Sequence, residues 1–245
     1  MNLPPPCKED IEVILKMKPD FIQSLHRHID ISCVKSTHTK AEIDTMLAYA
    51  KKYQFVSVFA MPCYTPYIIE GLRDEPMIKP GGVVGFPSGC DSTFSKVEQA
   101  RELIQMGCLE LDMVMAYGML KSRYYDYVYE DIKNVVLVSN ALPVKVIIEA
   151  SYLTDYEIAK ACEIAVRAGA AFVKSGTGWS KDPTTIHMLQ IMRDAVADKA
   201  LLKAAGGIRS LDTIKQMMEL GCERFGLGVE SAISIMKELH NVGAS

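Results

Sequence analysis

Along the chain, short apolar runs rich in Val, Ile and Phe alternate with longer stretches whose apolar residues recur every three or four positions. The alternation continues to the C-terminus without a Pro/Gly/Ser linker or a low-complexity segment. Eight runs read as strands: "HIDIS" (28–32), "FVSVFAM" (55–61), "GVVGF" (82–86), "ELDMVM" (110–115), "VKVIIEA" (144–150), "FVKSG" (172–176), "LLKAAG" (201–206) and "RFGLG" (224–228). Between them lie amphipathic helical patterns such as "TKAEIDTMLAYAKKY", "FSKVEQARELIQMG", "TDYEIAKACEIAVRAG", "PTTIHMLQIMRDAV" and "SLDTIKQMMELG". Several open on a Ser, Thr or Asp cap and close on Gly. Eight βα units predict an α/β chain folded as a closed (β/α)8 TIM barrel, one domain over residues 1–245. "CKEDIEVILKMKPDFIQSL" adds a leading helix in an N-terminal extension over 1–27. A doubly wound sheet is the alternative arrangement of the same units.

Parallel strands covered on both faces read as continuous apolar runs, so a charge inside one is the informative exception. Period-two alternation places Phe172, Lys174 and Gly176 on one face of their strand, Leu201, Lys203 and Ala205 on another, and Glu110, Asp112 and Val114 on a third. Asp30 and Glu149 stand near strand ends, and Lys145 and Glu149 share a face, which reads as an internal ion pair. Active sites of such barrels gather at the C-terminal strand ends, so inward faces would bring Asp112, Lys174 and Lys203 into one pocket.

Composition narrows the partner. Lys and Arg total 27 against 30 acids, with no basic cluster, which argues against nucleic acid or an anionic membrane and for a small molecule. The 7 cysteines are scattered without a CxxC pair, so neither a disulfide scaffold nor a zinc ribbon is expected, and a reducing cytoplasm is. The N-terminus lacks a signal pattern, and no apolar run approaches the roughly 18 residues of a membrane helix.

Two neighbouring lysines suit carbonyl chemistry through a Schiff base. One amine must be unprotonated to attack, and a free lysine near pKa 10.4 is mostly charged at neutral pH. Burial and a second ammonium both lower that value; a drop of roughly 3 units corresponds to about 4 kcal/mol. Lys174 is then the nucleophile, Lys203 its electrostatic partner, and Asp112 the carboxylate that exchanges protons with the adduct.

The order "VVGFPSG", "LELDMVMAYGMLKSRYYDYVYEDI", "VKVIIEASYLTD", "AGAAFVKSGTGW", "LLKAAGGIRSLDT" and "RFG" resembles the deoxyribose-phosphate aldolase family from about residue 28 onward. The resemblance implies a class I, metal- and cofactor-independent aldolase joining acetaldehyde to glyceraldehyde 3-phosphate, reversibly, in a homodimer or larger homo-oligomer. By the same resemblance the Schiff-base lysine is Lys174, the second lysine Lys203 and the acid Asp112. Departures cluster at the phosphate end. The family's T-S-T-G run has Gly176 at the serine position, followed by Thr177, Gly178 and then Trp179. After "RFG" stand Gly228 and Val229, where the family commonly has paired hydroxyl residues, with Ser231 slightly later. Side-chain hydroxyls for a phosphate are thus expected to be missing, and backbone N–H groups around Gly206, Gly207, Gly228 and Val229 remain as an anion nest. Asp30 lies in a first strand, "HIDISCVKS", that also departs from the family pattern. These differences predict an altered acceptor, on which Trp179 either stacks or merely covers a loop edge.

Other motifs carry blander expectations. "HRH" (26–28) lacks a metal partner and reads as capping or surface histidines, and "GLGVES" fails the dinucleotide spacing. "RYYDYVYED" reads as an exposed helix start or a subunit contact, and the methionines as core fillers. Two further functions stay open: a carbonyl transferase using the same lysine, and a sugar-binding barrel without turnover.

Overall fold

The computed structural model describes residues 23–243. The leading helix expected within 1–27 therefore lies almost wholly outside the described residues, whose first element is a 3-10 turn at Leu25–His28. There the His28 Nδ1–H donates to the Glu223 carbonyl at 2.9 Å, a structural use of the "HRH" stretch.

Eight parallel strands follow: β1 Ile29–Cys33, β2 Ser57–Ala60, β3 Lys79–Val84, β4 Glu110–Val114, β5 Val144–Ile147, β6 Phe172–Lys174, β7 Leu201–Ala205 and β8 Cys222–Gly228. Each pairs with the next, and β8 pairs back onto β1 through Ile29↔Phe225 and Ile31↔Leu227, closing the barrel. The helices are α1 Lys40–Tyr53, α2 Thr65–Gly71, α3 Thr93–Met106, α4 Tyr117–Lys121, α5 Tyr125–Val138, α6 Asp155–Arg167, α7 Ile186–Val196, α8 Leu211–Glu219 and α9 Val229–Gly243. Their starts follow the caps read from sequence: Thr154 accepts from Glu157 N, Thr185 from Met188 N and Ser210 from Thr213 N, each satisfying a first-turn donor. "RYYDYVYED" does open α5, with Tyr124 and Tyr127 exposed; Asp131 instead turns inward and pairs with Lys96 of α3 at 2.6 Å, both fully buried.

β2 and β6 are shorter than expected, at Ser57–Ala60 and Phe172–Lys174, and two further strands differ for reasons visible in the backbone. β3 begins at Lys79 rather than 82, although "KPGG" looks like a turn. Pro80 lacks only a donor and still accepts from Leu109 N at 2.8 Å, while a Cβ on Gly81 would lie 2.3 Å from the Phe59 ring, so glycine there makes room for that ring. β5 stops at Ile147 because Glu149 adopts φ 52, ψ 58, the left-handed region, at the start of a 3-10 turn.

The strand period separates two environments. Ile31, Val58, Val84, Leu111, Met113, Val146, Val173, Leu202, Ala204 and Phe225 join the apolar core packed with the helices. The alternate positions converge inside the barrel and supply the polar groups described next. No helix among the described residues is long and apolar enough to cross a membrane.

Candidate active site

Lys174 and Lys203 are register partners on adjacent strands β6 and β7, so their side chains leave the sheet side by side. Both ammonium groups donate to Asp112 Oδ2, each at 2.7 Å. Asp112 comes from β4, where Val83, Lys145 and their neighbours hold it in register, and it is fully enclosed. Lys203 also meets Asp30 Oδ2 at 2.5 Å, and its Nζ lies 4.5 Å from the centre of the Phe59 ring.

Beneath this triad the polar interior continues towards the closed end of the barrel. Lys145 pairs with Glu110 and lies 3.4 Å from Asp112 Oδ1 and 3.6 Å from Asp30 Oδ2. The Arg224 Nε–H donates to Asp30 Oδ1 at 2.8 Å and its Nη2 group to Glu110 Oε2 at 2.7 Å, while the Ser57 hydroxyl donates to Asp30 Oδ1 at 2.6 Å. Four buried cations, Lys145, Lys174, Lys203 and Arg224, thus face three buried carboxylates, Asp30, Glu110 and Asp112. Among these carboxylates Lys145 meets three, Lys203 and Arg224 two each and Lys174 one, an uneven pairing that burial makes costly.

The titration shifts follow this imbalance. Burial pushes Lys203 down to about 8, against the pull of Asp112 and Asp30 and with help from the charges of Lys174 and Lys145. Burial alone would raise Asp112; the ammonium groups of Lys174, Lys203 and Lys145 outweigh it and hold the carboxyl well below the usual range. Asp30 is held down in the same way by Lys203, Lys145 and Arg224. Lys145 goes up, because the three carboxylates around it outweigh its burial.

Above the lysines opens a cavity of about 650 Å³. Lys174 reaches it with 7% of its surface exposed, whereas Lys203 has 1%, so a carbonyl entering from solvent meets Lys174 first. One wall is the Gly206–Gly207 turn, with φ values of 100° and 78°, which glycine adopts without strain. Beside it stand the N-terminus of α9, at Gly228 and Val229, and Arg209, whose Nη1 group donates to Ser231 Oγ at 2.7 Å. Trp179 also borders the cavity: its indole N–H donates to the Val34 carbonyl at 2.9 Å, and its ring meets Phe86 edge-on at 6.2 Å.

A model of the DeoC/LacD aldolase family matches residues 35–231. The chain belongs to that family. It is 43% identical over 215 residues to a deoxyribose-phosphate aldolase of Carboxydothermus hydrogenoformans, covering 86% of this chain and 93% of the relative. A solved structure from Coccidioides immitis, described as that of a candidate deoxyribose-phosphate aldolase, superposes with a TM-score of 0.84 at 30% identity, covering 96% of this chain and 99% of the other. The Aeropyrum pernix deoxyribose phosphate aldolase, described as a unique tetramer, shares the fold with a TM-score of 0.84 at 24% identity, covering 97% of this chain and 100% of that one. The protein is therefore an aldolase, a carbon–carbon lyase on a (β/α)8 barrel.

In this aldolase Lys174, Lys203, Asp112, Asp30, Thr177, Trp179, Gly206, Gly207, Gly228 and Val229 all border the cavity, as the sequence reading expects of a pocket. Three expectations need correcting. Gly176 does not line the cavity: a Cβ there would lie 2.9 Å from Glu149 Oε1 and 3.2 Å from the Ala205 carbonyl, so the glycine serves packing. Lys145 and Glu149 are not an ion pair; the left-handed turn takes Glu149 out of the strand alternation, and its carboxylate accepts instead from the Thr177 N–H and hydroxyl. Nor is the phosphate end without a side-chain hydroxyl, since Ser231 borders the cavity under Arg209. The sequence reading missed Arg224 and Ser57 as interior groups, although period two from Gly226 and Gly228 puts Arg224 on the inward face of β8.

Proposed function

We propose that this aldolase cleaves and forms 2-deoxy-D-ribose 5-phosphate, or a closely related sugar phosphate, through a Schiff base on Lys174. The observation that carries the reading is the sharing of one carboxylate oxygen by two lysines in a buried, charge-lined enclosure. Burial pushes Lys203 down to about 8 with help from the neighbouring ammonium charges, so a ready proton acceptor stands beside the accessible Lys174. Attack on the C1 aldehyde gives a carbinolamine, and loss of water gives an iminium. The iminium accepts the electron pair of the C2–C3 bond as the C3 hydroxyl loses its proton, releasing glyceraldehyde 3-phosphate. The enamine left on Lys174 is protonated at C2 and hydrolysed to acetaldehyde. Asp112 and Lys203, which lie within hydrogen-bonding reach of Lys174 or its other partner, hold and return these protons.

The phosphate fits the wall formed by the Gly206–Gly207 turn, the N-terminus of α9 and Arg209, where backbone N–H groups, a helix dipole and a guanidinium border one cavity. Support for a homo-oligomer comes from the tetramer described for the Aeropyrum pernix neighbour, and support for a cytoplasmic setting from the scattered cysteines without a CxxC pair.

Intact-mass measurement after borohydride reduction with acetaldehyde and with deoxyribose 5-phosphate tests the reading. Wild type is expected to gain one ethyl-sized adduct with acetaldehyde and Lys174→Leu none. An adduct that persists in Lys174→Leu overturns the assignment of the nucleophile, and no adduct on wild type overturns the Schiff-base reaction itself.

A further inference from the structure

One buried carboxylate takes no part in the chemistry above. Glu149 is 3% exposed, sits in the left-handed backbone region just past β5, and is separate from the interior network of Asp30, Glu110 and Asp112. Its Oε2 accepts from the Thr177 hydroxyl at 2.5 Å and from the Thr177 N–H at 3.2 Å. The same Thr177 Oγ1 accepts from the Trp179 N–H at 3.0 Å, so one hydroxyl joins the carboxylate to the tryptophan backbone. The indole N–H then reaches the Val34 carbonyl just past β1, and the ring stands edge-on to Phe86 just past β3. Thr177, Trp179, Val34 and Phe86 all border the catalytic cavity; Glu149 does not.

We propose that Trp179 determines acceptor specificity by covering the acceptor end of the cavity, and that Glu149 is the positioning residue that sets it there through Thr177. The inference rests on the aldolase reading above. A carboxylate buried this deeply is kept where its oxygens are satisfied, and here both oxygens accept from Thr177 on the loop that carries Trp179. Two features give that loop a fixed seat. Gly176 leaves room for Glu149 Oε1, and a Cβ on Gly178, at φ 81°, would lie 3.9 Å from Gly206 Cα, so the β6 and β7 turns pack glycine to glycine. The device is thus a chain of contacts from β5 through the β6 loop to the ends of β1 and β3, and it ends in an aromatic ring rather than at the lysines.

The test separates KM from chemistry at Lys174, using Glu149→Gln, Thr177→Val, Thr177→Ser, Trp179→Phe and Trp179→Ala. For deoxyribose 5-phosphate cleavage, Trp179→Ala is expected to raise KM about tenfold, with Glu149→Gln and Thr177→Val moving it the same way by at least about threefold. Thr177→Ser, which retains the hydroxyl, is expected to stay within about twofold of wild type, and Trp179→Phe, which keeps a ring but loses the Val34 bond, to fall between. Borohydride trapping of acetaldehyde, which has no acceptor end, should change by less than about twofold throughout. KM unmoved in Trp179→Ala overturns the specificity role. KM unmoved in Thr177→Val, with Trp179→Ala impaired, overturns the positioning role, and this variant decides the point if Glu149→Gln fails to fold. Trapping that collapses with KM unchanged also overturns it, because Glu149 then acts on Lys174 itself. Failure of the aldolase reading is distinct: wild type would then show neither trapping nor cleavage.

Discussion

Asp112 Oδ2 touches both lysines, so Lys203 stands one shared carboxylate away from Lys174. With Lys203 pushed down to about 8, its proton is lost as pH rises through that value, and kcat/KM should climb towards pH 8 and level off above it. Lys203→Leu removes the group that titrates near 8 beside Lys174. The expected outcome is a loss of about a hundredfold or more in kcat/KM at pH 7, with the ascending limb displaced by more than about one pH unit in a full pH–rate profile. An unmoved limb would show that Lys203 does not set the pH dependence of the reaction. At this scale the sequence was informative because Lys174, Lys203 and Asp112 each interrupt an apolar run at an inward position. The partners of Lys145 were not legible in the same way. They lie on β1 and β4, more than thirty positions away in the chain, and the local candidate, Glu149, leaves the alternation through a backbone turn that a glutamate rarely adopts.

Between β2 and β3 the barrel interior depends on a glycine. The Phe59 ring occupies the space where a Cβ on Gly81 would fall, and the same ring packs 4.5 Å from Lys203 Nζ and 4.7 Å from Lys145 Nζ. Gly81→Ala should therefore force the ring aside and destabilise the fold by about 1–3 kcal/mol, read as a lower midpoint in denaturant with an unchanged slope. An unshifted midpoint would mean that the ring has room elsewhere. The element boundaries show what local pattern resolves. Helix starts were legible because Thr154, Thr185 and Ser210 cap with their own side chains, a short-range signal. The start of β3 was not, since Pro80 and Gly81 carry turn propensity locally and become strand only because β2 and β4 pair on either side.

For the molecule as a whole, the buried charges couple the fold to acid. Burial raises Asp30 and Asp112, but the surrounding cations outweigh it and both end below the ordinary carboxylate range. Their ionised forms therefore stabilise the barrel above the unfolded values near 4, and the stabilisation drains away as pH falls through that region towards the folded values. Denaturant midpoints at pH 7, 4 and 3 should drop progressively, and a midpoint flat between 4 and 3 would contradict the network's contribution. The mouth has a different kind of consequence. The chain contains 1 tryptophan, and it borders the cavity, bonded to the Val34 carbonyl and leaning on Phe86. Any ultraviolet emission selected for indole thus originates at a single point beside the bound sugar. The protein carries its own optical reporter, and titrating substrate while watching the colour and intensity of that emission reads occupancy of the pocket without a label.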